Sequence, residues 1–401
     1  MAGAGAQVTR RVVSVTGTRA DFGLMEPVHR TIAADRAFDL HLIVTGMHLL
    51  PDFASSLAAV REDRIGMLHE LETMTGEDSA EAMAASIGRA IVGMSRIFAE
   101  TAPDIVLLQG DRGEMLAGAI AAAHMNIPVV HMSGGDVSGS IDDSVRNAIS
   151  KFASFHLTNC APSTERLVAT GEQPARIAEV GEPGLDELLR TDFVPLEALA
   201  AELGLPPGEK FIIATLHPVT DEADQAGAQM QALIDALEEA GLVTVFTYPN
   251  ADAGGGAMRE VLEAARGKPF LRIVANLGSR RYLSLLRHAA AVVGNSSSGL
   301  NDTPTLKIPA VNIGSRQLGR LRADNVVDIG FDKESIVKAI RFVLENAGYR
   351  ARLAQCCNPY GDGHAAERTV DILKRLILDH ALIAKWRNAP GPFLSATGNG
   401  A

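Results

Sequence analysis

The sequence predicts an α/β protein of two doubly wound parallel-sheet domains that face each other across a cleft. Three observations predict it. At 401 residues the chain is too long for one ordinary core. Short β-rich apolar runs alternate with helical patterns from end to end, as parallel sheets with crossover helices require. Hydrophobic residues make up 47% and charged residues 21%, enough to fill two cores. The reading divides the chain into an N-terminal domain over 1–185, a C-terminal domain over 186–375, and a returning segment over 376–401.

In the first half the expected strands are 12–15, 40–44, 105–108, 129–132, 156–158 and 177–180. A break follows at Gly181-Glu182-Pro183-Gly184, then a helix near 196–203 and a turn at Pro206-Pro207-Gly208. The second series is 211–215, 243–246, 271–274, 291–293, 310–313 and 326–329. No close repeat relates the two series, so the likeness is one of architecture. The pattern over 365–384 reads as one long helix that packs back on the first domain, and the Gly/Ala tail from Pro390 reads as disordered.

Composition excludes several classes. Net charge is −11, and Lys and Arg nowhere cluster as a nucleic-acid footprint would. Aromatics are only 4%, which disfavours a stacking surface. Cys160, Cys356 and Cys357 show neither metal spacing nor an even disulfide framework, so reduced thiols in the cytoplasm fit best. No apolar signal core opens the chain and no run reads as a membrane span.

Polar motifs follow the expected strands: Thr16-Gly17-Thr18-Arg19-Ala20-Asp21, Gln109-Gly110-Asp111-Arg112, Ser133-Gly134-Gly135-Asp136, Leu216-His217-Pro218 and Gly294-Asn295-Ser296-Ser297-Ser298-Gly299. Ligands of open parallel sheets bind outside the carboxyl ends of the strands, so five such motifs point to a site there. Arg19 and the glycine turn before it can meet a phosphate, or form a plain turn. The serine run suits a pyrophosphate because small residues let backbone approach and hydroxyls add donors; a lone N-cap needs only one serine. Asp302, expected in the first helical turn, is either a dipole-favoured acid or an acceptor for ribose hydroxyls. Asp111, Glu114, Asp136, Asp142 and Asp143 crowd among glycines with Arg112 and Arg146, where close or desolvated carboxylates can work as acid and base. His217 is a phosphate donor, a proton carrier, or structural.

Together these residues resemble the hydrolysing branch of the UDP-N-acetylglucosamine 2-epimerase family. The matches are TGTRADFG at 16–23, TGMH at 45–48, GDR at 110–112, IDDSVR at 141–146, His217-Pro218, GNSSSG at 294–299, NIGSRQLGR at 312–320 and NPYGDG at 358–363. The resemblance implies a glycosyltransferase-B-like fold with two Rossmann-like domains, a homodimer, and neither nicotinamide nor catalytic metal. It implies a UDP-sugar substrate, proton removal at C2, anti-elimination of UDP, and hydration to the inverted free sugar. That product class feeds sialic or legionaminic acid synthesis. By the same resemblance Asp111 and Asp142 are the catalytic carboxylates; Asp136, Glu114 or His217 is read from its place beside them as assisting. Arg19, Arg112, His217, Asn250, Ser296 and Ser297 are nucleotide and phosphate contacts. Asp21, His48, Arg146, Asn295, Ser298 and Gly299 stand in the matching motifs, Asp302 stands at a ribose-contacting position, and Arg316, Gln317 and Arg320 match a loop near the nucleotide.

Two positions depart from the family pattern. Ser133 stands where Glu or His is usual, and serine is no comparable base at neutral pH. Asp302 replaces a ribose-contacting Glu with a side chain one methylene shorter. The expected reaction is release of N-acetylmannosamine from UDP-N-acetylglucosamine. The alternative keeps the chemistry on UDP-2,4-diacetamido-2,4,6-trideoxyglucose, since the small Ser133 leaves room for an altered sugar. A glycosyltransferase and a non-catalytic nucleotide-sugar sensor are the rivals from other classes.

Overall fold

The structure, a computed structural model, describes residues 9–51, 54–75, 79–137, 141–249, 254–275, 277–385 and 392–395. The chain forms two compact units, Met1–Glu187 with Gly361–Ala401, and Leu188–Tyr360. Both are doubly wound α/β units with wholly parallel main sheets.

Among the described residues the first unit has seven strands: β1 Arg10–Thr16, β2 Phe38–Thr45, β3 Met67–Leu71, β4 Ile105–Gln109, β5 Val129–Met132, β6 Phe155–Thr158 and β7 Ile177–Glu179. Their order is β3-β2-β1-β4-β5-β6-β7, so the winding reverses between β1 and β4. Helices cover both faces, which is why runs such as Val12-Val13 carry no polar alternation. Successive side chains point to opposite faces: Leu40, Leu42 and Val44 enter one core with Phe22, Met25 and Ile32, while Val13, Val15 and Ile43 enter the other with Met94 and Phe98.

The second unit has β8 Phe211–Thr215, β9 Val243–Thr247, β10 Leu271–Val274, β11 Ala291–Gly294, β12 Ala310–Ile313 and β13 Val326–Ile329. The order β10-β9-β8-β11-β12-β13 places its reversal between β8 and β11. Helices Ala226–Ala240 and Lys333–Glu345 supply Met230, Leu233, Leu237, Ile336 and Ile340 to its core.

The structure differs from the sequence expectation in several places. β3 was not expected; its residues are half-buried or exposed at the sheet edge, so no apolar run marks it. The chain re-enters the first unit at Gly361, ahead of the expected residue 376. The long helix over 365–384 is broken: Ala365–Arg375 is helical, Leu376 is extended and bridges antiparallel to Leu394, and a short helix resumes at His380–Ile383. Asp379 forces the restart by capping it, accepting from the Leu382 N–H at 2.9 Å. The tail expected to be disordered is partly built in. Phe393 is buried under the Arg176 guanidinium, 4.0 Å from ring centre, while the rest of the segment beyond Lys385 lies largely outside the described residues.

Helix Ala80–Thr101 is long and apolar enough to cross a membrane, although no such run was expected. Here it lays Ala90, Met94 and Phe98 on the first sheet and turns Arg89 and Arg96 outward. The returning helix Ala365–Arg375 is fixed from its first turn: Asp186, fully buried, accepts from the Ala365 N–H at 2.9 Å and the Ala366 N–H at 2.7 Å. Those two donors would otherwise be unsatisfied at a helix start.

Candidate functional site

Each sheet reverses its winding at one place, and the chemistry-bearing loops flank it. In the first unit these are the loops after β1 and β4, with the β5 loop alongside. This is the position at which open α/β sheets bind ligands.

After β1, helix Arg19–Ala34 begins with a capping box. Thr18 accepts from the Asp21 N–H at 3.3 Å, and Asp21 accepts from Gly17 and Thr18 N–H groups at 3.1 Å. Asp21 also accepts from Thr16 Oγ1 at 2.5 Å. The buried Asp21 carboxylate is therefore committed to holding the turn, and burial raises its pKa against those hydrogen bonds. Thr16 has given its hydrogen to Asp21, so it accepts from His48 Nε2 at 2.9 Å, which leaves His48 Nδ1 to accept from Ser56 Oγ at 2.7 Å. The buried His48 is neutral by this pattern, and burial lowers its pKa. Arg19 stands exposed at the first helical position.

After β4, Gly110 leads into helix Gly113–His124. Arg112 Nη2 donates to Glu114 Oε1 at 3.3 Å. Among the described residues its buried Nε finds no hydrogen-bond acceptor; Asp21 Oδ2 stands 4.0 Å away. Asp111 is paired with Arg146 Nη2, and Arg146 Nη1 donates to the Ser133 carbonyl at 2.8 Å. Arg146 is buried, so one guanidinium ties the β4 loop to the β5 loop. Asp142 is exposed and Asp143 half-buried in the first turn of helix Ile141–Phe152.

After β5 the backbone is unusual. Ser133 lies at φ +62, left-handed for a residue with a side chain. Gly135 follows at φ +77, where a Cβ would stand 2.1 Å from the Ser163 carbonyl oxygen, so only glycine fits. The turn places Asp136 to accept from Ser163 Oγ at 2.5 Å and from Asn159 Nδ2 at 2.8 Å. Burial raises the Asp136 pKa, while Ser163, Arg146 and Arg166 pull it the other way.

Sequence reasoning missed His131 and Asn159. His131 is fully buried in β5, its Nε2 donating to the Gly110 carbonyl at 2.8 Å and its Nδ1 accepting from Ser150 Oγ at 3.0 Å. Burial lowers its pKa to about 3, so it stays neutral and pins the turn that carries Asp111. A histidine inside an apolar strand was the available signal, since a buried ring needs partners.

In the second unit the reversal lies between β8 and β11, and Asn295 staples it. Its Oδ1 accepts from the His217 N–H at 2.7 Å, and its Nδ2 donates to the His217 carbonyl at 2.8 Å. Gln317 Nε2 and Arg316 Nη1 donate to the Asn295 carbonyl at 2.8 and 3.1 Å. These four matched residues are thus brought together, with the half-buried His217 ring at the β8 end. Ser296 and Ser297 are half-buried, and Ser298 is buried and accepts from Tyr282 at 2.8 Å. The helix expected after them is two single turns, Ser298–Asn301 and Thr303–Leu306. Asp302 lies at their junction and not in a first turn, so a macrodipole argument does not apply to it. Gly299 is buried, Arg320 is exposed, and Asn250 lies outside the described residues.

Comparison with known proteins follows this geometry. A family profile described as UDP-N-acetylglucosamine 2-epimerase matches residues 30–374. The UDP-N,N′-diacetylbacillosamine 2-epimerase (hydrolyzing) of Legionella pneumophila is 36% identical over 94% of this chain and 98% of its own length. The UDP-N-acetylglucosamine 2-epimerase of Neisseria meningitidis serogroup B is 33% identical over 83% of this chain and 87% of its own. A crystal structure of a UDP-GlcNAc 2-epimerase from Neisseria meningitidis bound to UDP-GlcNAc superposes with a TM-score of 0.74 at 17% identity, covering 90% of this chain and 99% of that one, and shows the shared glycosyltransferase-B-like fold. With most of its length matched by the family profile, the chain belongs to the UDP-N-acetylglucosamine 2-epimerase family.

Proposed function

We propose that the protein is a hydrolysing UDP-sugar 2-epimerase acting on UDP-2,4-diacetamido-2,4,6-trideoxyglucose, the compound also called UDP-N,N′-diacetylbacillosamine. The observation that carries this reading is the near full-length similarity to the hydrolysing Legionella pneumophila enzyme. A second reading, UDP-N-acetylglucosamine giving N-acetylmannosamine, is favoured by the Neisseria meningitidis relative.

In this reading the second unit's strand ends hold the UDP. His217, Asn295, Ser296 and Ser297 meet it, with Ser298, Gly299, Arg316, Gln317 and Arg320 shaping the loops, and Asp302 reaches the ribose. The first unit's loops hold the sugar and move protons. A carboxylate, Asp111 or Asp142, takes the C2 proton. The C2–H pair becomes the C1=C2 bond, and the C1–O pair leaves with UDP. Positive charge on the departing diphosphate lowers that barrier. Arg112, whose guanidinium is partly exposed, and Arg19, exposed beside the same turn, carry such charge. Glu114 orients Arg112, and Asp21 and His48 hold the loop. Water then adds at C1 and a proton returns to C2 on the other face. A cytoplasmic homodimer completes the proposal.

Incubation with each UDP-sugar, followed by NMR of the products, tests it. The diacetamido substrate should yield UDP and a free 2-epimer. Consumption of UDP-N-acetylglucosamine alone would reassign the substrate, and a conserved C2 configuration would end the epimerase reading.

A further inference from the structure

Asn159 follows β6 and is buried. Its amide nitrogen lies 2.8 Å from Asp136 Oδ2, 2.6 Å from Glu182 Oε2 and 3.1 Å from Ser133 Oγ. An amide nitrogen carries two hydrogens, so three acceptors compete for two. Two of them are carboxylate oxygens, one from the loop after β5 and one from the loop after β7. A common donor holds the two carboxyls a pair of hydrogen bonds apart, and like charges brought close disfavour double ionisation. Ser133, beside them, has no proton to give near neutral pH.

We propose that Asp136 and Glu182, bridged by Asn159, share one proton, and that Asp136 delivers it to C2 of the sugar during hydration. This rests on the 2-epimerase reading. Asp136 is the donor; Glu182 and Asn159 are positioning residues. The C1=C2 pair forms the new C2–H bond, Asp136 is left as carboxylate, and the water oxygen bonds to C1. The proton lost by that water passes to solvent, from which the pair is recharged. The groups facing Asp136 suit this. Arg146 from helix Ile141–Phe152 and Arg166 from helix Ala161–Ala169 keep its ionised form tolerable after transfer. Burial raises the nearby Cys160 thiol, which stays neutral. Glu182 is an acidic neighbour bridged through Asn159, and removing its charge should let Asp136 ionise earlier.

The test compares wild type with Glu182→Gln and Glu182→Asp by kcat and KM against pH, and by carbon-13 NMR titration of the Asp136 carboxyl. Glu182→Gln should lower kcat at least about tenfold with KM little changed, and move the descending limb of the kcat profile to lower pH. Glu182→Asp should recover part of both. The Asp136 titration should fall in pH in Glu182→Gln. Unchanged kcat and limb would overturn the catalytic role, and superimposable titrations would overturn the shared proton, whether or not any UDP-sugar is consumed. A wild type inert toward both UDP-sugars would remove the epimerase reading and the delivery step with it, while the titration still decides the pair.

Discussion

At the scale of single residues, polar groups in the first unit are spent mostly on holding other polar groups. Arg146 spans Asp111 and the Ser133 carbonyl, and His131 holds the Gly110 carbonyl. The proposed division of labour predicts that Asp111→Asn abolishes turnover while UDP binding by calorimetry stays near wild type; lost UDP binding would place Asp111 in the nucleotide site instead. His131 carries a second prediction. Its folded pKa, about 3, lies well below the ordinary 6.5, and that of buried His29, about 4, does too. As pH falls below 6.5 the unfolded chain takes up protons that the folded chain refuses, so stability is lost on the acid side. The loss is at most about 1.4 kcal/mol per pH unit for each histidine. Tm should therefore fall from pH 7 to pH 5, and less steeply in His131→Asn. Parallel curves would show that His131 is not a source of acid sensitivity.

At the scale of elements, the site was legible where chemistry is written into consecutive residues. The turns after β1, β4, β5 and β11 were marked by glycine beside polar side chains and the turn after β8 by His217-Pro218, and the structure puts them at strand ends. The partners that hold them were not legible, because His131, Ser150, Asn159 and Glu182 meet through tertiary contacts that no local period encodes. The edge strand β3 was missed for want of an apolar run, and the break at Leu376 because buried apolar residues continue through it. The turn after β11 yields a sharp expectation. Gly294 lies at φ +136, and a Cβ there would stand 1.9 Å from the Thr215 carbonyl oxygen. Gly294→Ala must part β11 from β8 and disturb the Asn295 clamp on His217. A loss of about 1–3 kcal/mol from the backbone alone is expected, with UDP affinity down at least about tenfold by calorimetry. Wild-type UDP affinity in a folded Gly294→Ala variant would take this turn out of the nucleotide site.

At the scale of the whole molecule, the two-series pattern of strands and helices was enough to assign two parallel α/β units. The path of the chain between them was less visible. Re-entry at Gly361 is fixed by Asp186 capping the returning helix, and by Val370, Leu373 and Leu376 completing the first core. The helical pattern over 365–384 announced that docking, but not the Asp186 cap that begins it, which is a tertiary contact. Family membership rests on similarity over most of the length, whereas the choice of sugar is proposed from the relatives alone. The reaction itself is the central claim, and turnover in deuterium oxide tests it most directly. NMR of the free sugar from the diacetamido substrate should show the 2-epimer with deuterium at C2. A product that keeps its C2 proton, or retains its configuration there, would contradict elimination and with it the whole account.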